Sequence, residues 1–193
     1  MTWNKNSFLI LLLIILSIFR SQVYGLNAWE ANVSPIIKKS SNIDNSSQIY
    51  GGRLALAYNF FNYKSFGLFE LLIDGSIAHI KTSERQDKPD FSKNITIFSP
   101  ALIARWYPVN FTWKKTAVFL EAGVGPSYMT NDDFGGRKLG MRYSFQDIGS
   151  IGIKTWDDQL IIGAYMIHYS NAGFHKNNRG ITLPPSLRVG YRF

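Results

Sequence analysis

The stretch LIIGAYMIHYSNAG, residues 160–173, carries no 3.6-residue apolar pattern. Read as a strand, it sets Leu160, Ile162, Ala164, Met166, His168 and Ser170 on one face. That face is apolar until its last two positions. The other face mixes Gln159, Ile161, Gly163, Tyr165, Ile167, Tyr169 and Asn171. A strand with one uniformly apolar face fits the wall of a barrel in lipid, with that face turned outward. His168 and Ser170 then sit on the outside of the barrel, not in its lumen.

The rest of the chain repeats this kind of segment. Extended stretches rich in Leu, Ile, Val, Tyr, Phe and Thr fall near 27–37, 51–61, 67–81, 95–108, 116–129, 138–155, 159–171 and 180–193. The connections after the first, third, fifth and seventh are the more polar: KKSSNIDNSSQIY, TSERQDKPDFSKN, NDDFGGRK and AGFHKNNRG. The others, NYKSF, NFTWKK and WDD, are mostly short. Long and short connections alternating around an even number of strands predict an all-β fold, an eight-stranded antiparallel transmembrane β-barrel of the outer membrane. Trp29, Tyr58, Phe60, Phe61, Tyr63, Trp106, Tyr107, Phe111, Trp113 and Trp156 cluster at segment ends, as an interfacial girdle does. Phe193 ends the chain on an alternating segment, with Tyr191 and Val189 before it at period two. That matches the terminal aromatic signal of outer-membrane assembly. A soluble lipocalin-like barrel is the competing fold.

The 193 residues suffice for one domain. The apolar run FLILLLIILSIF (Phe8–Phe19) follows Lys5, is too short to span a bilayer, and fits a secretory signal core. Val23 and Gly25 place a cut after Gly25. The expected organisation is a signal peptide over 1–25 and a single barrel domain over 26–193. Cysteine is absent, so disulfides do not stabilise the exported chain, and a closed barrel supplies another route. Losing Lys5 and Arg20 lowers the net charge from +8 to about +6, which favours anionic partners such as lipid phosphates. No nucleic-acid motif is present. Lys38, Lys39, Arg85, Lys88, Arg137, Lys176 and Arg179 fall in the expected outer loops, where they can meet phosphates or simply solvent. No spacing suits a metal site, His79 and His175 are isolated, and the glycine-rich DFGGRKLG follows no βα turn. No cofactor is expected. A homodimer is admitted.

With both termini periplasmic, the seventh segment ends at the outer leaflet. A histidine and a serine facing lipid at that level are costly unless they serve a purpose. The leaflet's lipopolysaccharide carries ester-linked acyl chains, and a serine activated by a histidine attacks esters. The bland reading is a polar strand end that reaches water.

The string HYSNAG, followed by Asn178 and Gly180-Ile181, resembles the signature of the PagL-type lipid A 3-O-deacylases. The close resemblance covers about fourteen residues; the barrel layout extends it loosely over the mature chain. It implies an eight-stranded barrel with a serine-hydrolase site on its lipid-facing surface, acting on lipid A in lipopolysaccharide without a metal or cofactor. It implies Ser170 as nucleophile and His168 as general base, then acid. Asn171 would support the oxyanion hole with backbone N–H groups. Asn178 matches a further position.

The family pattern places a glutamate after the Gly-Ile pair to orient the histidine, and here that position is Thr182. A hydroxyl accepts from an imidazole N–H but does not stabilise imidazolium as a carboxylate does. In serine proteases, neutralising the corresponding acid costs about 10⁴ in turnover. Asp147 and Glu30 are the carboxylates that could stand in. The alternative function is an inactive or slow small barrel with a structural or adhesive role. Pro184-Pro185 inside the last segment predicts a bulge or a late strand start.

Overall fold

A period of two along each segment becomes a strand with one buried and one exposed face. In the computed structural model the described residues are 28–38, 49–65, 67–82, 92–108, 112–113, 116–135, 137–176 and 180–193. The expected signal peptide lies outside them. Eight long strands result: β1 (Ala28–Lys38), β2 (Ile49–Ser65), β3 (Gly67–Thr82), β4 (Asn94–Tyr107), β5 (Thr116–Met129), β6 (Tyr143–Thr155), β7 (Leu160–Ser170) and β8 (Ser186–Arg192). Each pairs antiparallel with its sequence neighbours, and β8 returns to β1. The ring is a closed antiparallel barrel with no free edge. Its seam ends on Phe193 and Trp29, whose backbones exchange two hydrogen bonds of 2.9 and 3.1 Å.

The strands lie within a few residues of the expected segments, with two differences. The sixth begins at Tyr143, not near 138, because Arg137–Lys138 pairs with Asp133–Phe134 in a separate small hairpin. The last begins at Ser186, after Pro184 and Pro185, which cannot donate to the ladder. Ahead of the prolines, Ile181–Thr182 still pairs with β7, so the proline pair splits one strand into two pieces.

Alternation sets the two surfaces. Leu54, Leu56, Ile73, Ile77, Leu102, Leu120, Val124, Ile151, Met166 and Leu187 are exposed on the outer wall, an apolar belt that suits a hydrocarbon surround. A register shift between Asn59 and Phe61 turns both Phe60 and Phe61 outward, which explains the ragged alternation there. Trp29 packs on Tyr58 with ring centroids 4.8 Å apart, and Phe69 on Trp106 at 6.0 Å, at the end that holds the termini. Tyr107 does not belong to this girdle. One residue past the outward Trp106, it turns inward and donates to Glu70 at 2.9 Å. Phe111 lies outside the described residues. A second group of outward aromatics, Tyr50, Phe98, Tyr128, Tyr143 and Phe145, rings the opposite end.

The lumen is filled in two zones. Toward the outer end Ile36, Ile80, Ile95, Ile97, Ile167 and Leu183 form an apolar core. Phe134 and Leu139, from the hairpin and its exit, pack into it and cap that end of the barrel. Toward the termini, Arg105 binds Glu30 through both terminal nitrogens at 2.6 and 2.7 Å, Glu121 at 2.6 Å and Glu70 at 3.1 Å. Arg188, Arg192 and Lys154 complete the ion network through Glu121 and Glu70.

Candidate active site

β7 has neighbours on both sides up to its last residues, and they fix where its side chains point. β6 runs along one edge, setting His168 opposite Asp147 and Ser170 opposite Phe145. On the other edge, Ile181–Thr182 sets His168 opposite Thr182. Odd-numbered residues of β7, including Ile167 and Tyr169, are buried in the lumen. His168 and Ser170 therefore share the outer face, at the capped end of the barrel.

His168 Nδ1 lies 2.8 Å from Thr182 Oγ1, a direct hydrogen bond. Continuing the register by one residue sets Gly180 opposite Ser170. A Cβ built on Gly180 would lie 2.9 Å from His168 Cε1 and 3.1 Å from Nε2. The ring is thus held at Nδ1 by Thr182 and lies over a residue with no side chain. Its Nε2 edge faces the Ser170 end of the strand.

The chain turns immediately after Ser170. Ala172 and Gly173 both have positive φ, 51° and 84°. The Asn171 side chain is buried and makes the turn with its own oxygen, which accepts from Gly173 N at 3.1 Å. Its Nδ2 donates to Leu139 O at 3.2 Å, and Phe174 N donates to Asn171 O at 3.0 Å. Phe174 is 75% exposed, with its ring 6.1 Å from that of Phe145, beside Ser170. Asn178 lies outside the described residues.

The two substitute carboxylates separate cleanly. Glu30 points into the lumen and is held by Arg105, so it cannot reach His168. Asp147 lies on the outer face, directly across from His168.

A model of the family described as Lipid A 3-O-deacylase (PagL) matches residues 50–192. The chain belongs to that family. Lipid A deacylase PagL of Pseudomonas aeruginosa is 38% identical over 89 residues, covering 46% of this chain and 48% of the relative. That alignment spans about half the length of the relative. The crystal structure of the outer membrane enzyme PagL matches with a TM-score of 0.64 at 21% identity, covering 86% of this chain and 98% of that one. This second likeness concerns the fold. The matched span runs across β6, β7 and Gly180–Thr182, the elements that carry this site.

Of the remaining sequence candidates, His79 lies on a different strand from this cluster. His79 is exposed on β3, with Nδ1 2.9 Å from Thr96 Oγ1. His175 and Lys176 are exposed after the Asn171 turn. Lys39, Arg85, Lys88 and Arg179 lie outside the described residues; Lys38 ends β1 and Arg137 sits on the small hairpin. The Leu139 carbonyl that anchors Asn171 had no sequence signal, because the contact joins residues far apart in the chain.

Proposed function

We propose that this chain is an outer-membrane lipid A 3-O-deacylase that uses Ser170 and His168 on the outer wall of the barrel. The observation that carries the reading is the clamped imidazole. Nδ1 is held by Thr182 while Nε2 faces the end of the strand where Ser170 lies, two residues away on the same face. With Nδ1–H donating to Thr182, Nε2 is the free base. It takes the Ser170 hydroxyl proton as Oγ bonds to the acyl carbon of the ester at position 3. The developing oxyanion is received by backbone N–H groups of the turn that Asn171 braces. His168 then gives the proton to the departing sugar oxygen. Water, activated by the same histidine, cleaves the acyl-enzyme and releases a 3-hydroxy fatty acid. The steps call on no metal and no cofactor. The ester of a membrane lipid lies at the interface, at the level of this strand end.

The second reading, an inactive or slow barrel with a structural or adhesive role, is favoured by Thr182 at the position of the expected acid. Nothing in the fold or the comparisons supports a homodimer. Mass spectrometry of lipid A from Gram-negative cells expressing either the wild type or Ser170→Ala separates the two readings. Loss of one hydroxyacyl group with the wild type alone is the expected result. Unchanged lipid A in both, with each protein folded in the outer membrane, would establish the second reading instead.

A further inference from the structure

We infer that Asp147 supplies the negative charge that the family pattern places on the Thr182 side of the histidine. The inference rests on the serine–histidine reading above. Asp147 and His168 are directly opposed on the exposed faces of β6 and β7. Opposed side chains in an antiparallel pair have Cβ atoms about 4.5–5.5 Å apart; here the ring bonds Thr182 and makes no direct contact with the carboxylate, which lies beside it as a nearby charge. The surroundings give Asp147 no other charge to meet. On β5 it faces Val124. Along β6 its same-face neighbours are Phe145 and Gly149. Next to His168 on the same face of β7 are Met166 and Ser170. Among the described residues, no cation engages the Asp147 carboxylate. The imidazolium formed when Ser170 loses its proton is the cation this position can serve.

The two neighbours of His168 then divide a task that one glutamate performs elsewhere in the family. Thr182 sets the tautomer by its hydrogen bond to Nδ1. Asp147, from the opposite strand, balances the charge that His168 gains. No proton passes to Asp147, and it does not touch substrate; it is a positioning residue acting through His168. Lipid on one side weakens dielectric screening, which lengthens the useful range of that charge.

The test uses the full-length protein refolded in detergent micelles. Lipid A deacylation gives kcat and KM, and a fluorophosphonate probe reports the rate at which Ser170 is modified. Asp147→Asn is expected to lower kcat by about 10²-fold at unchanged KM and to slow probe labelling in parallel, part of the about 10⁴ that loss of an orienting acid costs in serine proteases. Adding Thr182→Glu to Asp147→Asn restores a carboxylate on the other flank and should recover most of both rates. A purely structural role for Asp147 predicts no such recovery. An Asp147→Asn protein within twofold of wild type overturns the inference, as does a slow but folded one that Thr182→Glu fails to rescue. If wild type and Ser170→Ala are equally inert toward lipid A and probe, the serine–histidine reading fails, and this inference with it.

Discussion

Asn171 donates its side-chain amide to the carbonyl of Leu139 at 3.2 Å, tying the turn after Ser170 to the exit of the hairpin that caps the barrel. The same side chain accepts from Gly173 N. One buried residue thus holds the backbone beside the reactive strand end from two directions.

Removing that brace leaves a buried carbonyl without its donor. Asn171→Ala is expected to cost about 1–3 kcal/mol. The loss should appear as faster amide exchange at Gly173 and Phe174, with the barrel strands still protected. Asn171→Asp keeps the acceptor for Gly173 N and loses the donor to Leu139, so it should fall between the two. Unchanged exchange at Gly173 in Asn171→Ala would show that the turn does not depend on the side chain.

Gly180 is needed for closeness. A methyl group there would meet the His168 ring and the carbonyl of Tyr169. The ring can yield only by leaving its position over Gly180. Gly180→Ala should therefore lower kcat at least tenfold, about 1.4 kcal/mol in barrier. The heat-modifiable electrophoretic shift of the folded barrel should be kept. Wild-type kcat in this variant would mean that the ring has room to spare.

Arg105 is the hub of the luminal network. Glu30 and Glu121 are buried around it, and each loses a principal partner if it is removed. Arg105→Met should destabilise the barrel by about 3–5 kcal/mol, since it leaves buried charges uncompensated. Denaturant unfolding in micelles measures this. A midpoint equal to wild type would show that water or Arg192 and Arg188 take over the carboxylates.

The architecture was legible because it depends on parity, and parity is written residue by residue. The even face of 160–170 points outward as its apolar run requires, and that alone carries His168 and Ser170 to the exterior. Parity was less useful where the chain departs from it. The double outward turn at Phe60 and Phe61 needs a bulge, and the inward turn of Tyr107 was obscured by the aromatic beside it. The capping hairpin was not legible because its paired residues lie in the polar, glycine-rich connection NDDFGGRK, whose composition reads as a loop. At the site, the sequence supplied the histidine, the serine and the altered acid position. It could not choose between Asp147 and Glu30, because that choice depends on which face and which neighbouring strand each occupies. The fold takes Glu30 away through a luminal ion pair and leaves Asp147 on the outer face, in register with His168.

The outward placement of His168 and Ser170 makes the proposed reaction a two-dimensional one. Substrate does not enter a cavity; it drifts within the leaflet until an ester passes the wall between β6 and β8. Encounter then depends on how many lipid A molecules occupy a given area, not on their amount per volume. Spreading the same lipid A among inert lipids should slow turnover even when the total in the tube is unchanged.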